Sequence, residues 1–386
     1  MTDRIPLSQE IMTDFARLTG LFPASGVPQR YLWTDAFAVC NLLGLYQETG
    51  DGKFKDMALQ LVGQVHSTLG QYRRDDKRAG WISGLDGEEA TLHPTAGGLR
   101  IGKQFKERSS TEPLNERLEW DRDGQYFHYL TKWMHALNRV TKVTGEFTYN
   151  KWAIELARIG HERFVYAPSG DRQKRMYWKM RTNLSYPLVQ SMGLHDPLDG
   201  LIAYTQLAAT AVGDQEGPAD LGTEIADMAG MCKGRSWVTD DPLGIGGLLS
   251  DASSVAQLMT AGYFSQSGLL VILLEASLLG LKAFDLDQMN LPADDRLAFR
   301  ELGLSIGLRA FQRLSDLIGQ DRPLFREEHG LDDLITALQS YERLAETIET
   351  FWLQPEHQQG DLWMTHRHIN MVMLATSISP AGYLTL

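Results

Sequence analysis

Acidic, indole and imidazole side chains recur just after loops, where helices begin. The first such start reads YLWTDAF and holds Trp33 and Asp35. The second, LEWDRDGQYFHYLTKW, holds Glu119, Trp120, Asp121, Asp123, Tyr126, His128 and Trp133. The third, MGLHDPLDGL, holds His195, Asp196 and Asp199. RSWVTDDPLGIGG adds Trp237, Asp240 and Asp241, and DLWMTHRHINM adds Trp363, His366, Arg367 and His368. Flat apolar sugar faces stack on indoles, while acids and amides bond hydroxyls, so this is the composition of a carbohydrate site.

The acids divide by what else explains them. Asp in the first turn of a helix caps it without any chemistry, and Asp35, Asp196 and Asp240 fit that role. Asp196-Pro197 and Asp241-Pro242 read as helix starts with proline at the first position. Asp199 follows Asp196 by three residues and is less easily explained as a cap. The WDRD segment packs Glu119, Asp121 and Asp123 into five residues. Crowded carboxylates repel, which raises one pKa and leaves a proton available near neutral pH. Glycosidic cleavage needs one protonated and one ionised carboxylate, about 6.5–9.5 Å apart for inversion and about 5–5.5 Å for retention. Asp121 and Asp123 are the candidates for one member, and Asp199 or Asp241 for the other. An acidic loop neutralised by Arg117 and Arg122 is the competing explanation.

No HExxH and no paired CxxC occurs, so the sequence calls for neither zinc nor any cofactor. His128 and His135 are seven residues apart and share a helix face, whereas His366 and His368 are two apart and do not. His66 and His161 read as packing residues. The loop LHPTAGGLRIGK is rich in glycine and positive charge but matches neither nucleotide fingerprint. It reads as a loop folding over a site, with Arg100 and Lys103 placed to meet a carboxylate or phosphate on a substrate. Gly244–Gly247 reads as the beginning of a helix where backbones come close.

Helical spacing dominates the elements that must carry these residues, with apolar positions at i, i+3, i+4 and i+7 in nearly every long segment. Long loops are expected near 74–122, 166–196 and 233–247. Thr49–His66 aligns without a gap onto Thr144–His161, matching Thr49 with Thr144, Gly50 with Gly145, Phe54 with Tyr149, Ala58 with Ala153 and Leu61 with Leu156. Each copy is a helix, a Thr-Gly-acid turn and a second helix. A weaker third copy runs from Ala211 to Asp214 and on into Ala219–Met231. The class is all-α, built from repeating αα-hairpins as one domain over 1–386.

The TG[DE]-x-x-[FY]-x-x-x-A-x-x-L hairpin resembles those of the (α/α)6 toroids of the six-hairpin glycosidase superfamily, an architecture shared with the N-acylglucosamine 2-epimerase family. The resemblance implies a closed ring whose helix starts line one mouth. There Trp33, Trp120, Trp237 and Trp363 would form sugar subsites, with Asp35, Arg100, Tyr126, His128, His366, Arg367 and His368 beside them. The leading expectation is a glycoside hydrolase. A sugar epimerase using His195, His366 or His368 as the base, and a non-catalytic toroid binding a small molecule or peptide, are the alternatives.

Composition narrows the partners. The 386 residues carry a formal net charge of −12, with 43% hydrophobic and 22% charged residues, which suits a folded globular chain. No Lys/Arg block provides a nucleic-acid surface. GLLVILLEASLLGL (Gly268–Leu281) is too short to span a bilayer and contains Glu275. With two cysteines, Cys40 and Cys232, and no secretory leader in MTDRIPLSQE, the expected location is the cytoplasm.

Overall fold

The structure is a computed structural model describing residues 4–24, 26–109, 111–170, 173–214, 220–264 and 268–386. Its residues group into two compact units. The first comprises Thr19–Leu43 and Gly52–Arg235, and the second Met1–Leu18, Gly44–Asp51 and Ser236–Leu386. The helix Leu32–Thr49 contributes to both.

In the first unit the helix Phe127–Thr144 packs against Thr148–Phe164 and Asp196–Ala211. Its buried face follows the helical period through Phe127, Leu130, Met134, Leu137 and Val140. A buried polar layer ties the same helices together. Asn138 Nδ2 donates to Asn150 Oδ1 at 2.9 Å and to Thr210 Oγ1 at 2.8 Å, and Gln206 Nε2 donates to Asn138 Oδ1 at 2.8 Å. Such a network is satisfied in only one helix register, so it fixes what apolar packing alone would leave loose.

The repeated turn is physically the same in both copies. Gly145 takes a left-handed φ of 79° and its N–H donates to Thr141 O, while Gly50, with φ 70°, donates to Tyr46 O. Thr144 Oγ1 donates to Val140 O and accepts from Glu146 N, as Thr49 Oγ1 donates to Leu45 O and accepts from Asp51 N. Glycine supplies the positive φ, and the threonine hydroxyl satisfies orphan groups at the helix end. In the third copy Ala219 lies outside the described residues.

His66 is a core residue of the first unit. Trp133 Nε1–H donates to its Nε2 at 3.2 Å, and the Trp133 and Trp152 rings meet it edge-on. Burial pushes the His66 pKa down to about 3. The unfolded chain therefore takes up this proton near pH 6.5 while the folded chain refuses it, so stability falls as pH drops from about 6.5 to about 3. His66→Gln, which still offers an acceptor to Trp133 but does not titrate, is expected to reduce that slope by about 1.4 kcal/mol per pH unit in denaturant titrations. Equal slopes in the two proteins would assign the acid sensitivity elsewhere.

In the second unit Pro242–Thr260 lies unusually close to Ala298–Gln320. A Cβ on Gly246 would stand 2.0 Å from Gly303 O, and one on Gly307 would stand 2.4 Å from Gly246 Cα. The helix starts at Pro242, so Gly244–Gly247 lie inside it and the expected 233–247 loop is shorter. Asp241 supplies the cap position and proline the first turn, which is why the helix begins ahead of the glycines. Gly246→Ala is expected to cost about 1–3 kcal/mol in urea unfolding, because the helices must part. Gly247→Ala, with nothing within 4 Å of the added methyl, is the control expected to leave the midpoint unchanged or raised.

A buried carboxylate organises the rest of this unit. Glu349 accepts from Arg309 Nε and Nη2 at 2.9 and 2.6 Å, from Ser377 Oγ at 2.9 Å and from Ser305 Oγ at 3.1 Å. The apolar helix Leu269–Ala283 exposes Ile272, Glu275 and Leu279, and no described helix is long and apolar enough to cross a membrane.

Candidate functional site

Within the first unit, long-loop backbone is threaded between a helix start and a small sheet. Leu32 N, at the start of Leu32–Thr49, donates to Ile101 O at 3.0 Å, and Ile101 N donates to Gly124 O at 2.8 Å. Asp123 closes this clasp. Its carboxylate accepts from Arg100 Nη1 at 2.9 Å, Gly102 N at 3.0 Å and Gly124 N at 3.1 Å, and is wholly buried. Arg100 continues to Thr68 O and Gln71 O. The strand Gln125–Tyr126 then pairs antiparallel with Lys179–Met180, which pairs with Pro187–Val189.

On this frame stands a continuous run of rings. Trp120, 54% exposed, meets Trp178 edge-on at 4.9 Å. Trp178 leans on Tyr126 at 5.1 Å, and Tyr126 stacks on His128 at 5.3 Å. Tyr129 presents its edge to Tyr126, His128 and Tyr31. The Tyr31 and Tyr129 hydroxyls share a hydrogen bond of 2.6 Å. Burial pushes the pKa of Tyr31, Tyr126 and Tyr129 upward, so these phenols remain neutral.

Charged groups border the rings from three directions. Asp121 is exposed, its carboxylate makes no hydrogen bond or ion pair among the described residues, and it lies near enough to Tyr31 and Tyr126 to oppose their ionisation. From the start of Asp196–Ala211, Asp196 places Oδ1 3.4 Å from His128 Nδ1. Both groups are unfulfilled: His128 Nδ1 and Asp196 Oδ2 are buried without a hydrogen-bond partner. Buried polar atoms left this way call for an additional group at the site. One turn on, Asp199 accepts from Lys132 Nζ at 2.9 Å. Lys179 is sealed beneath Tyr126, donating to Glu119 O at 2.7 Å and Arg122 O at 2.8 Å and pairing with Glu119 Oε1 at 2.9 Å. Burial lowers its pKa.

The structure thus brings together Trp120, Tyr126 and His128, with Asp121 near Tyr126 and Asp196 touching His128. His195 directly precedes Asp196 at the helix start. Trp33 is buried against Phe37 at 4.5 Å. Asp35 is enclosed behind the helix start, 3.3 Å from Arg30 Nη1 and accepting from Tyr31 N. Burial raises its pKa to about 6 against the pull of that guanidinium. Asp196 is the first residue of its helix and makes no side-chain capping hydrogen bond. The sequence does not single out Tyr31, Tyr129, Trp178 or Lys132, and it reads Asp196 only as a helix cap. Trp178 lies between the short strands Arg175–Met176 and Lys179–Met180.

The remaining sequence candidates belong to the second unit. Trp237 is buried, and Asp241 accepts from Arg300 Nη1 at 2.6 Å. Trp363 stacks on Trp352 at 5.5 Å, His366 meets Phe299 edge-on, and His368 meets Phe15. Trp363 and Arg367 line a cleft of about 670 Å³ with Leu7, Glu10 and Ile11. Among the described residues no cluster of three or more His, Cys, Asp or Glu side chains is arranged to hold a metal.

No protein-family model matches the chain, and no curated protein sequence matches it. Solved structures do. The chain is similar to the GH76A α-1,6-mannanase from Salegentibacter sp. HEL1_6, with a TM-score of 0.54 and 12% identity over 98% of this chain and 99% of that one. An inactive variant of that mannanase with two aspartates replaced, in complex with α-1,6-mannotetrose, matches with a TM-score of 0.55, 12% identity and the same coverage. The cellobiose 2-epimerase from Spirochaeta thermophila DSM 6192 matches with a TM-score of 0.48 and 11% identity over 98% and 99% of the two chains. These likenesses show the fold, an (α/α)6 toroid.

Proposed function

We propose that the chain is a carbohydrate-active enzyme that hydrolyses a glycosidic bond at the aromatic wall of its first unit. One observation carries the reading. The exposed carboxylate of Asp121 and the enclosed carboxylate of Asp196, with its orphan Oδ2, border the same run of rings. Trp120 and Trp178 offer faces to sugar rings, and the neutral Tyr31 and Tyr129 hydroxyls offer hydrogen bonds to sugar hydroxyls. Asp121 and Asp196 act as the pair: one protonates the departing glycosidic oxygen while the other activates water or attacks the anomeric carbon. Lys132 and Asp199 hold a ring hydroxyl, and His195 positions the turn that presents Asp196. Asp123, Arg100, Asp35 and Asp241 serve the scaffold. The shared fold with a mannanase that binds an oligosaccharide supports a saccharide substrate.

The test is incubation with a panel of α- and β-linked oligosaccharides, assaying for new reducing ends. A panel left intact by wild-type protein at high enzyme concentration would overturn the hydrolase assignment. The His128–Asp196 approach favours one second reading, an epimerase in which this pair moves a proton beside a carbonyl. Solvent deuterium entering a sugar carbon without new reducing ends would select it. Cys40 and Cys232 are buried thiols outside any disulfide, and burial drives the Cys40 pKa up to about 12, which suits the reducing cytoplasm in which we place the enzyme.

A further inference from the structure

The positive charges around the aromatic wall are not equivalent. Arg100 is bound to Asp123, Lys132 to Asp199, and Lys179 to Glu119. Lys103 is different. Its ammonium stands 5.2 Å over the Tyr31 ring and has no carboxylate or other hydrogen-bond partner among the described residues. It is half-buried rather than extended into water. Its charge reaches Tyr129, whose ionisation it favours, and Lys179, whose protonation it opposes. Lys103 therefore sits at the Tyr31–Tyr129 hydroxyl pair as an uncompensated cation with an aromatic backing.

Holding a cation in a partly desolvated aromatic setting costs free energy that a scaffold lysine would recover through a salt bridge. The neighbouring basic residues do recover it. From this juxtaposition we propose that the enzyme's substrate is an acidic saccharide whose negative group, a carboxylate or a sulfate ester, is received by Lys103 beside the Tyr31 and Tyr129 hydroxyls. The inference rests on the carbohydrate reading above and adds the charge of the substrate to it. The net charge of −12 does not oppose it, because a lysine at contact distance outweighs exposed acids, Asp121 near Tyr31 among them, that water and salt screen. Lysine is a point charge without the planar fork of arginine, so it selects sign more than shape. That leaves the identity of the anion to the experiment.

The probes are matched pairs that differ only in charge: hexuronate oligosaccharides of the gluco, galacto and manno series against their carboxyl-reduced forms. Sulfated oligosaccharides against their desulfated forms make up a second set. Calorimetry with the full-length protein is expected to give at least tenfold tighter binding of the acidic member in one pair, with the advantage shrinking as salt is raised. In Lys103→Met the two members should bind equally, and Lys103→Arg should restore most of the preference. Lys103 makes no ion pair among the described residues, so the Met variant is expected to melt with the wild type. Which set shows the preference decides between carboxylate and sulfate. If a neutral member binds as well as its acidic counterpart, the proposal falls and the carbohydrate reading stands. If no member of any pair binds, both fall. A preference that survives in Lys103→Met also overturns the assignment.

Discussion

Asp196→Asn is expected to lower kcat by about 10²–10⁴-fold while leaving the fold intact, and Asp121→Asn to do the same. Asparagine keeps the size of the side chain and removes the ability to hold or release a proton. Neither aspartate anchors its surroundings. The Asp121 carboxylate makes no ion pair or hydrogen bond among the described residues, and the Asp196 carboxylate meets only the His128 ring, at 3.4 Å, among them. Loss of turnover in these variants is therefore chemical rather than a consequence of unfolding, and KM should move far less than kcat. Because the two act as a unit, the double variant should be scarcely worse than either single one. Reducing-end assays on a substrate that the wild type cleaves provide the measurement. Full turnover by either single variant would remove that residue from the mechanism.

Asp123→Ala is expected to have the opposite signature, a large loss of stability with the chemistry spared. The substitution strands the buried Arg100 guanidinium and leaves the Gly102 and Gly124 N–H groups without the acceptor they share. Breaking a buried ion pair by removing one member costs about 3–5 kcal/mol. The denaturant midpoint should fall accordingly, and Asp123→Asn, which keeps an acceptor oxygen, should fall less. The folded fraction of the Asn variant should retain kcat within about tenfold of wild type, since Asp123 has no solvent-facing surface. A variant as stable as wild type but inactive would return Asp123 to the catalytic group.

The all-α class and the hairpin were legible because their causes are local. A glycine able to take positive φ, a threonine two residues before an acid, and the helical apolar period are all written in contiguous residues. The site was legible only by residue type. Asp121 and Asp123 stand two residues apart in one motif, yet one is exposed and the other completely enclosed. What separates them is Arg100, more than twenty residues upstream, and no local pattern encodes that pairing. Likewise Asp196 looks like a helix cap, and only the arrival of His128 from another helix start distinguishes it from one. Tyr31 and Tyr129 are unremarkable singly and informative only as a hydroxyl pair brought together across 98 residues.

The clasp around Asp123 also sets the terms on which this protein can be re-engineered. The ends of the indole-bearing stretch up to Trp120 meet at two fixed points, the Arg100–Gly102 backbone and the Asp123–Gln125 backbone, which are joined to each other. A loop transplanted between those points inherits the clasp but must replace the bonds that Glu107 and Arg108 make to Thr182 N and Leu188 O. A graft that cuts inside the clasp separates Arg100 from Asp123 and loses the helix start at Leu32 with it. Libraries seeking new sugar preferences therefore have a natural cassette, with its sockets at residues 102 and 123.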